Sequence, residues 1–159
     1  MAVLVTGGAG YIGTHTALAL HEAGRQVVIL DDLSNSSERA VDAVRSLMGA
    51  DADDVPFVCG DAADVELVSR TIIDHGIDEV VHFAAFKSVS ESVERPLAYF
   101  ANNMGSLIGV VEAMAATDVR RLVFSSSCTV YGEPDEVPVT EASPTGAANP
   151  YGWTKLHGE

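Results

Sequence analysis

The chain opens on a short apolar run, Ala2-Val3-Leu4-Val5, and comparable runs recur at 26–30, 55–59, 79–83 and 121–126. Runs this short, bounded by glycine and polar residues, read as buried strands. Between them lie stretches whose apolar residues repeat at three- and four-residue spacing, the stripe of a helix packed on one side. Glu38–Met48 carries Ala40, Val41, Val44 and Leu47 in that pattern. Asp64 is placed to cap a further helix whose apolar face is Val65, Leu67, Val68, Ile72 and Ile73, with Gly76 at its end. Pro96 starts a long helix to about Ala116, with Leu97, Phe100, Met104, Leu107, Val111 and Met114 along one face. A second stripe of small residues, Ala101, Gly105, Gly109 and Ala113, permits close approach to the sheet or to a partner helix. Strand and helix therefore alternate five times. That pattern predicts an α/β fold, a doubly wound parallel sheet whose ligands bind at the carboxyl ends of the strands.

The chemistry-bearing residues fall at those ends. After the first strand comes Gly7-Gly8-Ala9-Gly10-Tyr11-Ile12-Gly13 and then a helical stretch. A glycine turn between strand and helix aims unpaired N–H groups at a pyrophosphate. The glycines alone fit a tight strand-to-helix turn as well as a cofactor turn. The second strand ends on Asp31-Asp32, eighteen residues past Gly13. There a carboxylate can grip a ribose diol and repel a 2′-phosphate, which favours NAD over NADP; a plain turn role for Asp31 is the alternative. The polar loop Leu33-Ser34-Asn35-Ser36-Ser37 is placed for adenosine contacts, and Asp61 follows the third strand, within reach of an adenine edge. His82 reads as a buried strand residue, and small residues after it would let a cofactor cross the sheet edge. Gly49–Asp54 reads as an acidic, solvated loop.

The last stretch supplies a base. Thr129–Ala148 is a long loop containing Pro134, Pro138 and Pro144, and Asn149-Pro150-Tyr151-Gly152-Trp153-Thr154-Lys155 follows. Pro150 suits a helix's first turn, which puts Tyr151 and Lys155 one turn apart on one face. A free phenol has a pKa near 10, so its phenolate costs roughly 4 kcal/mol at pH 7. A lysine cation ~4 Å away contributes about as much at an effective dielectric near 20. The pair can make a phenolate base for an alcohol that loses a hydride, and Ser127 would donate a hydrogen bond to that alcohol's oxygen. The chain holds seven arginines but only two lysines, Lys87 and Lys155, both placed near the expected cofactor.

Composition narrows the partners. The 159 residues suffice for one domain with a real core. A net charge of −14 repels nucleic acid and anionic membranes, so neither is an expected partner. No apolar run is long enough to span a bilayer, and the start shows no secretion signal. Two cysteines, Cys59 and Cys128, without C-x-x-C pairing, read as reduced thiols of a cytoplasmic protein. No His, Cys or carboxylate set has metal spacing, so no metal is expected.

The stretches TGGAGYIGTH (6–15), HFAAFKSVSESVERP (82–96), SSSCTVYG (125–132) and YGWTK (151–155) resemble the extended short-chain dehydrogenase/reductase family, and within it the UDP-hexose 4-epimerases. The resemblance covers the whole chain and implies a Rossmann-like NAD-binding domain over 1–159. It implies Ser127, Tyr151 and Lys155 as the catalytic residues. The NAD site would comprise Gly7, Gly10, Tyr11, Ile12 and Gly13 at the phosphates, Asp31, Asp32, Leu33, Ser34, Asn35 and Ser36 at the adenosine, and Asp61 and Ala62 beside adenine. Phe83, Ala84, Ala85, Phe86, Lys87 and Asn102 would line the remainder with Tyr151 and Lys155, and Lys87, Ser127 and Tyr151 would meet the sugar. The implied reaction is epimerisation at C4 of a UDP-hexose (UDP-glucose/UDP-galactose) through a transient 4-keto sugar, as in galactose metabolism. A homodimer is implied with it.

Related 4,6-dehydratases carry Thr-Asp-Glu where this chain has Ser127-Cys128-Thr129, which leaves water elimination from C6 without its acid–base pair. A decarboxylase, reductase or dehydratase of the same family, or a non-catalytic NAD-sensing domain, are the alternatives. Family members continue through a sugar-nucleotide domain, whereas the sequence here stops at Glu159 within the catalytic helix. The expectation is a fold truncated before that substrate domain, a fragment inactive alone.

Overall fold

The computed structural model describes residues 1–50 and 54–159. Its elements follow the alternation: β1 (Ala2–Thr6), α1 (Tyr11–Glu22), β2 (Gln26–Asp31), α2 (Glu38–Met48), β3 (Phe57–Cys59), α3 (Val65–Asp74) and β4 (Ile77–His82). Then come α4 (Val89–Glu94), α5 (Pro96–Ala116), β5 (Arg121–Phe124), a 3₁₀ turn (Cys128–Tyr131) and α6 (Pro150–Gly158). The strands lie in the order β3-β2-β1-β4-β5, with β1 parallel to β2 and β4, and β2 parallel to β3. This is the Rossmann-like doubly wound order, in which the chain reverses its direction of travel between β1 and β4. The chain forms two compact units, one of residues 1–84 with 106–123 and one of residues 85–105 with 124–159.

In the first unit the strands alternate sides residue by residue. Val3, Val5, Val27 and Ile29 face Ala17 of α1 and Val41 and Val44 of α2. Leu4, Val28, Leu30 and Val80 face Val68 and Ile72 of α3 and Val110, Ala113 and Met114 of α5. Helices on both faces bury both sets of side chains, which is why these strands read as unbroken apolar runs. Each buried Val or Leu contributes roughly 1.5–3 kcal/mol.

Several local expectations change. Strand β3 is shorter than 55–59, because Pro56 precedes it and only its carbonyl joins the ladder, accepting from the Ile29 N–H at 2.9 Å. Leu47 and Ile73 face solvent at the outer rims of their helices. Helix α4 was not expected; Ser88 caps it, accepting from the Glu91 N–H. The six-residue apolar face expected on α5 does not bury as a unit: Leu107 and Met114 are buried, Leu97 and Val111 exposed. The buried line runs through Tyr99, Asn103, Ser106, Val110 and Ala113, and it includes polar residues that hydrophobic periodicity ranks as outer ones. Within the expected long loop 129–148, the 3₁₀ turn buries Val130, and the Gly146 N–H donates to the Val130 carbonyl at 2.8 Å. Of the acidic loop Gly49–Asp54, residues 51–53 lie outside the described residues; Gly49 ends α2 in a left-handed conformation and Asp54 is exposed.

Candidate active site

The first unit gathers the glycine turn, the end of β2 and the end of β4. The N–H groups of Gly7 and Gly8 both donate to the Leu30 carbonyl, at 2.8 and 3.3 Å, which draws the turn back over β2. Gly7 has φ +68°, and a Cβ there would lie 2.6 Å from the Ala84 nitrogen. Only glycine meets both demands. Gly10 starts α1 without any side-chain cap, and no acid occupies the first turn. The N–H groups of Tyr11, Ile12 and Gly13 precede the first intrahelical bond, which Thr14 donates to the Gly10 carbonyl at 2.9 Å. The side chains of Tyr11 and Ile12 stand outward.

Asp31 ends β2, and its carboxylate is bonded within the protein. The residue is 8% exposed, and its carboxylate accepts from the Ala9 N–H at 3.0 Å, the Leu33 N–H at 2.9 Å and the Ser36 hydroxyl at 2.7 Å. It ties the glycine turn to the loop that follows β2, and of its roughly four acceptor sites about one remains. Asp32 is exposed and accepts from the N–H and hydroxyl of Ser34, at 2.9 and 2.7 Å; Asn35 is exposed beside them. Asp61 is exposed and accepts from the Ala63 N–H at 2.8 Å, while the side chain of Ala62 is buried in the core. Phe83 and Ala84 are half-buried beyond β4, with the Phe83 N–H donating to the Thr6 carbonyl at 2.9 Å. His82 is buried, as expected, and shares a 2.7 Å hydrogen bond with the Thr6 hydroxyl.

The second unit holds the catalytic candidates. Asn149 caps α6, accepting from the Gly152 N–H at 2.8 Å, and Pro150 fills the first turn. That pairing of cap and proline sets the helix phase. Tyr151 is then half-buried and Lys155 buried, at 4% exposure. The Lys155 Nζ donates to the Ser125 carbonyl at 2.7 Å and lies 4.9 Å from the centre of the Phe124 ring. Burial removes water from the ammonium and lowers its pKa to about 8. Ser127 precedes the 3₁₀ turn, where its hydroxyl oxygen accepts from the Thr129 N–H at 3.2 Å and the Thr129 hydroxyl at 2.9 Å. Cys128 is exposed.

Two residues outside the expected set organise this unit. Asn103 is buried, and its amide accepts from the Phe86 N–H at 2.8 Å and from the Asn102 amide at 3.0 Å. It donates to the Phe86 carbonyl at 3.0 Å and to the Thr154 hydroxyl at 2.9 Å. One side chain therefore holds the segment carrying Ala85, Phe86 and the exposed Lys87, the neighbouring Asn102, and helix α6. Thr129 is the second, through Ser127. The available signals were an asparagine amid the apolar spacing of α5 and a threonine two residues past the candidate serine. Among the described residues no group of three His, Cys, Asp or Glu side chains is arranged to hold a metal.

A Rossmann-like sheet with an uncapped helix after its first strand, and a helix carrying a tyrosine one turn before a buried lysine, defines the short-chain dehydrogenase/reductase class. The family model described as GDP-mannose 4,6 dehydratase matches residues 4–159, and the chain belongs to that family, within the extended branch of the class. UDP-glucose 4-epimerase 1 of Oryza sativa subsp. japonica is 49% identical over 154 residues, covering 97% of this chain and 44% of that protein. UDP-glucose 4-epimerase of Bacillus subtilis is 48% identical over 156 residues, 98% of this chain and 45% of that protein. The crystal structure of UDP-glucose 4-epimerase from Bifidobacterium longum in complex with NAD+ and UDP superposes with a TM-score of 0.95 at 43% identity, over 99% of this chain and 47% of that one. The chain thus spans a little under half the length of the curated relatives it matches.

Proposed function

We propose that residues 1–159 are the NAD-binding part of a UDP-hexose 4-epimerase that interconverts UDP-glucose and UDP-galactose. The observation that carries this reading is the buried ammonium of Lys155, held on the Ser125 carbonyl one helical turn from Tyr151. Burying a cation is costly, and in general a positive charge close to a phenol lowers the cost of the phenolate that proton removal requires.

The residues fit a dinucleotide. The uncapped start of α1 offers the N–H groups of Tyr11, Ile12 and Gly13 to a pyrophosphate. Asp31 and Asp32 put negative charge where a 2′-phosphate would sit, which favours NAD over NADP. Leu33, Ser34, Asn35 and Ser36 would hold the adenosine, and Asp61 with the Ala62 backbone would flank adenine. Phe83, Ala84, Ala85, Phe86, Lys87 and Asn102 would line the rest. When bound, NAD would take a hydride from C4 of the sugar and return it to the opposite face. Tyr151 takes the proton of the 4-hydroxyl as that hydride leaves and gives it back in the second half-reaction. Lys155 keeps a positive charge on the same helix, one turn from Tyr151. Ser127 donates a hydrogen bond to the 4-oxygen, and Lys87 offers a cation to the sugar diphosphate.

The dehydratase alternative has less support, because the turn Ser127-Cys128-Thr129 contains no carboxylate. An NAD-sensing domain would have no use for a buried lysine one helical turn from a tyrosine. Helix α5 supports a homodimer, since Leu97, Ile108 and Val111 are exposed along one side of it. Exposed Cys59 and Cys128 fit a reducing cytoplasm.

The test is to give the complete protein UDP-galactose and follow UDP-glucose. Tyr151→Phe is expected to abolish conversion; undiminished turnover by that variant would refute the assignment of the base. Residues 1–159 by themselves are expected not to turn over. Sedimentation of Leu97→Glu against wild type tests the dimer, the variant running as a monomer.

A further inference from the structure

Ser127 has a neighbour that decides what it can do. A serine hydroxyl has one proton to donate and two lone pairs to accept with. Thr129 takes both lone pairs, with its N–H at 3.2 Å and its hydroxyl at 2.9 Å. The proton is the only hydrogen-bonding capacity left to Ser127. Thr129 is itself seated against the catalytic helix, because a Cβ on Gly152 would lie 2.9 Å from the Thr129 carbonyl oxygen and 3.3 Å from its hydroxyl. Within this unit one threonine joins the serine turn to the helix that carries Tyr151 and Lys155.

We propose that Thr129 is a positioning residue of the reaction: by donating its hydroxyl to Ser127, it commits Ser127 to donate toward the sugar's 4-oxygen. The inference rests on the epimerase reading above. Its chemical consequence concerns the route of one proton. The 4-oxygen alternates between a hydroxyl, which can donate, and a ketone, which can only accept. A serine with an open lone pair would accept from the 4-hydroxyl and compete with Tyr151 for its hydrogen bond. With both lone pairs filled, that hydroxyl has Tyr151 as its acceptor, and Ser127 serves hydroxyl and ketone alike as a donor.

The experiment uses Thr129→Val, which keeps the branched shape and loses the hydroxyl, Thr129→Ser, which keeps the hydroxyl, and each combined with Ser127→Ala in the complete protein. Thr129→Val is expected to lower kcat roughly five- to tenfold, the worth of one hydrogen bond, with KM for the UDP-sugar little changed. Thr129→Ser should retain the wild-type rate. Ser127→Ala, which removes one donor to the reacting oxygen, should cost roughly 10²–10³-fold and leave measurable turnover. In that background Thr129→Val should cost nothing further. A wild-type rate for Thr129→Val, or the same fractional loss with and without Ser127, would overturn the proposal, the second result marking a purely structural role. A wild-type protein that interconverts no UDP-hexose would instead overturn the epimerase reading, and this inference with it.

Discussion

The Lys155 ammonium donates to the carbonyl oxygen of Ser125 at 2.7 Å, joining α6 to the segment just beyond β5. The bond is short and the lysine is buried, yet a single carbonyl and the Phe124 ring replace the water that an exposed ammonium would keep. The result is a cation with its pKa lowered to about 8, through desolvation. Two pH effects follow from it.

The first concerns stability. In the unfolded chain Lys155 titrates near its ordinary 10.5, so between about 8 and 10.5 the unfolded state binds more protons than the folded one. Stability from this group therefore rises with pH across that window and is least favourable below pH 8. Relative to Lys155→Met, wild type should gain up to about 3 kcal/mol between pH 8 and 10.5. Urea unfolding of both proteins at several pH values measures the difference, and a flat or falling difference would contradict the burial argument.

Turnover should respond in the opposite sense. The role proposed for Lys155 rests on its positive charge, which is lost as pH rises through about 8. The expected kcat/KM profile falls on its alkaline side near that value, since kcat/KM reports groups of the free enzyme. Lys155→Met should lower kcat/KM at neutral pH and remove this alkaline fall.

Gly152→Ala tests the seat of α6. The added methyl would lie 2.9 Å from the Thr129 carbonyl oxygen and 3.0 Å from the Ala147 side chain. Backbone on one side and a buried alanine on the other leave little room to give. A loss of about 1–3 kcal/mol is expected from overpacking, together with a fall in kcat as α6 moves from the serine turn. Thermal unfolding and turnover measured on one preparation give both numbers.

Asn103→Asp keeps the shape of the side chain and removes its two donors. The Phe86 carbonyl and the Thr154 hydroxyl then face carboxylate oxygen in a buried position. Destabilisation of about 2–4 kcal/mol is expected, read as a lower urea midpoint. Asn103→Ala should be less damaging than the aspartate, because it leaves the same groups unpaired but buries no charge.

The alternation of elements was legible in the chain because each signal is local. A strand flanked by helices on both sides is apolar at every position, so Ala2–Val5 and Val27–Leu30 announce themselves without reference to their partners. Glu38–Met48 and Pro96–Ala116 were delimited by a polar start, a proline and apolar spacing, all read within one element. Asn149-Pro150 fixes the start of α6, and one turn of helix then places Tyr151 and Lys155 on a common face. The strand order and the roles of partners far along the chain were decided by tertiary structure. Asn103 meets Thr154 across 51 residues, and Lys155 meets Ser125 across 30. No periodicity within one element registers such a bond, so apolar spacing passes over Asn103 and shifts the expected buried line on α5. Asp31 shows the same division: its position at the end of β2 was plain from the sequence, but its three bonds to Ala9, Leu33 and Ser36 exist only once the glycine turn has folded back over it. Sequence determined which groups stand at the strand ends, since backbone periodicity is local. Folding determined which of them keep free hydrogen-bonding capacity and how their charges are held, since both depend on neighbours that only the packed chain brings together.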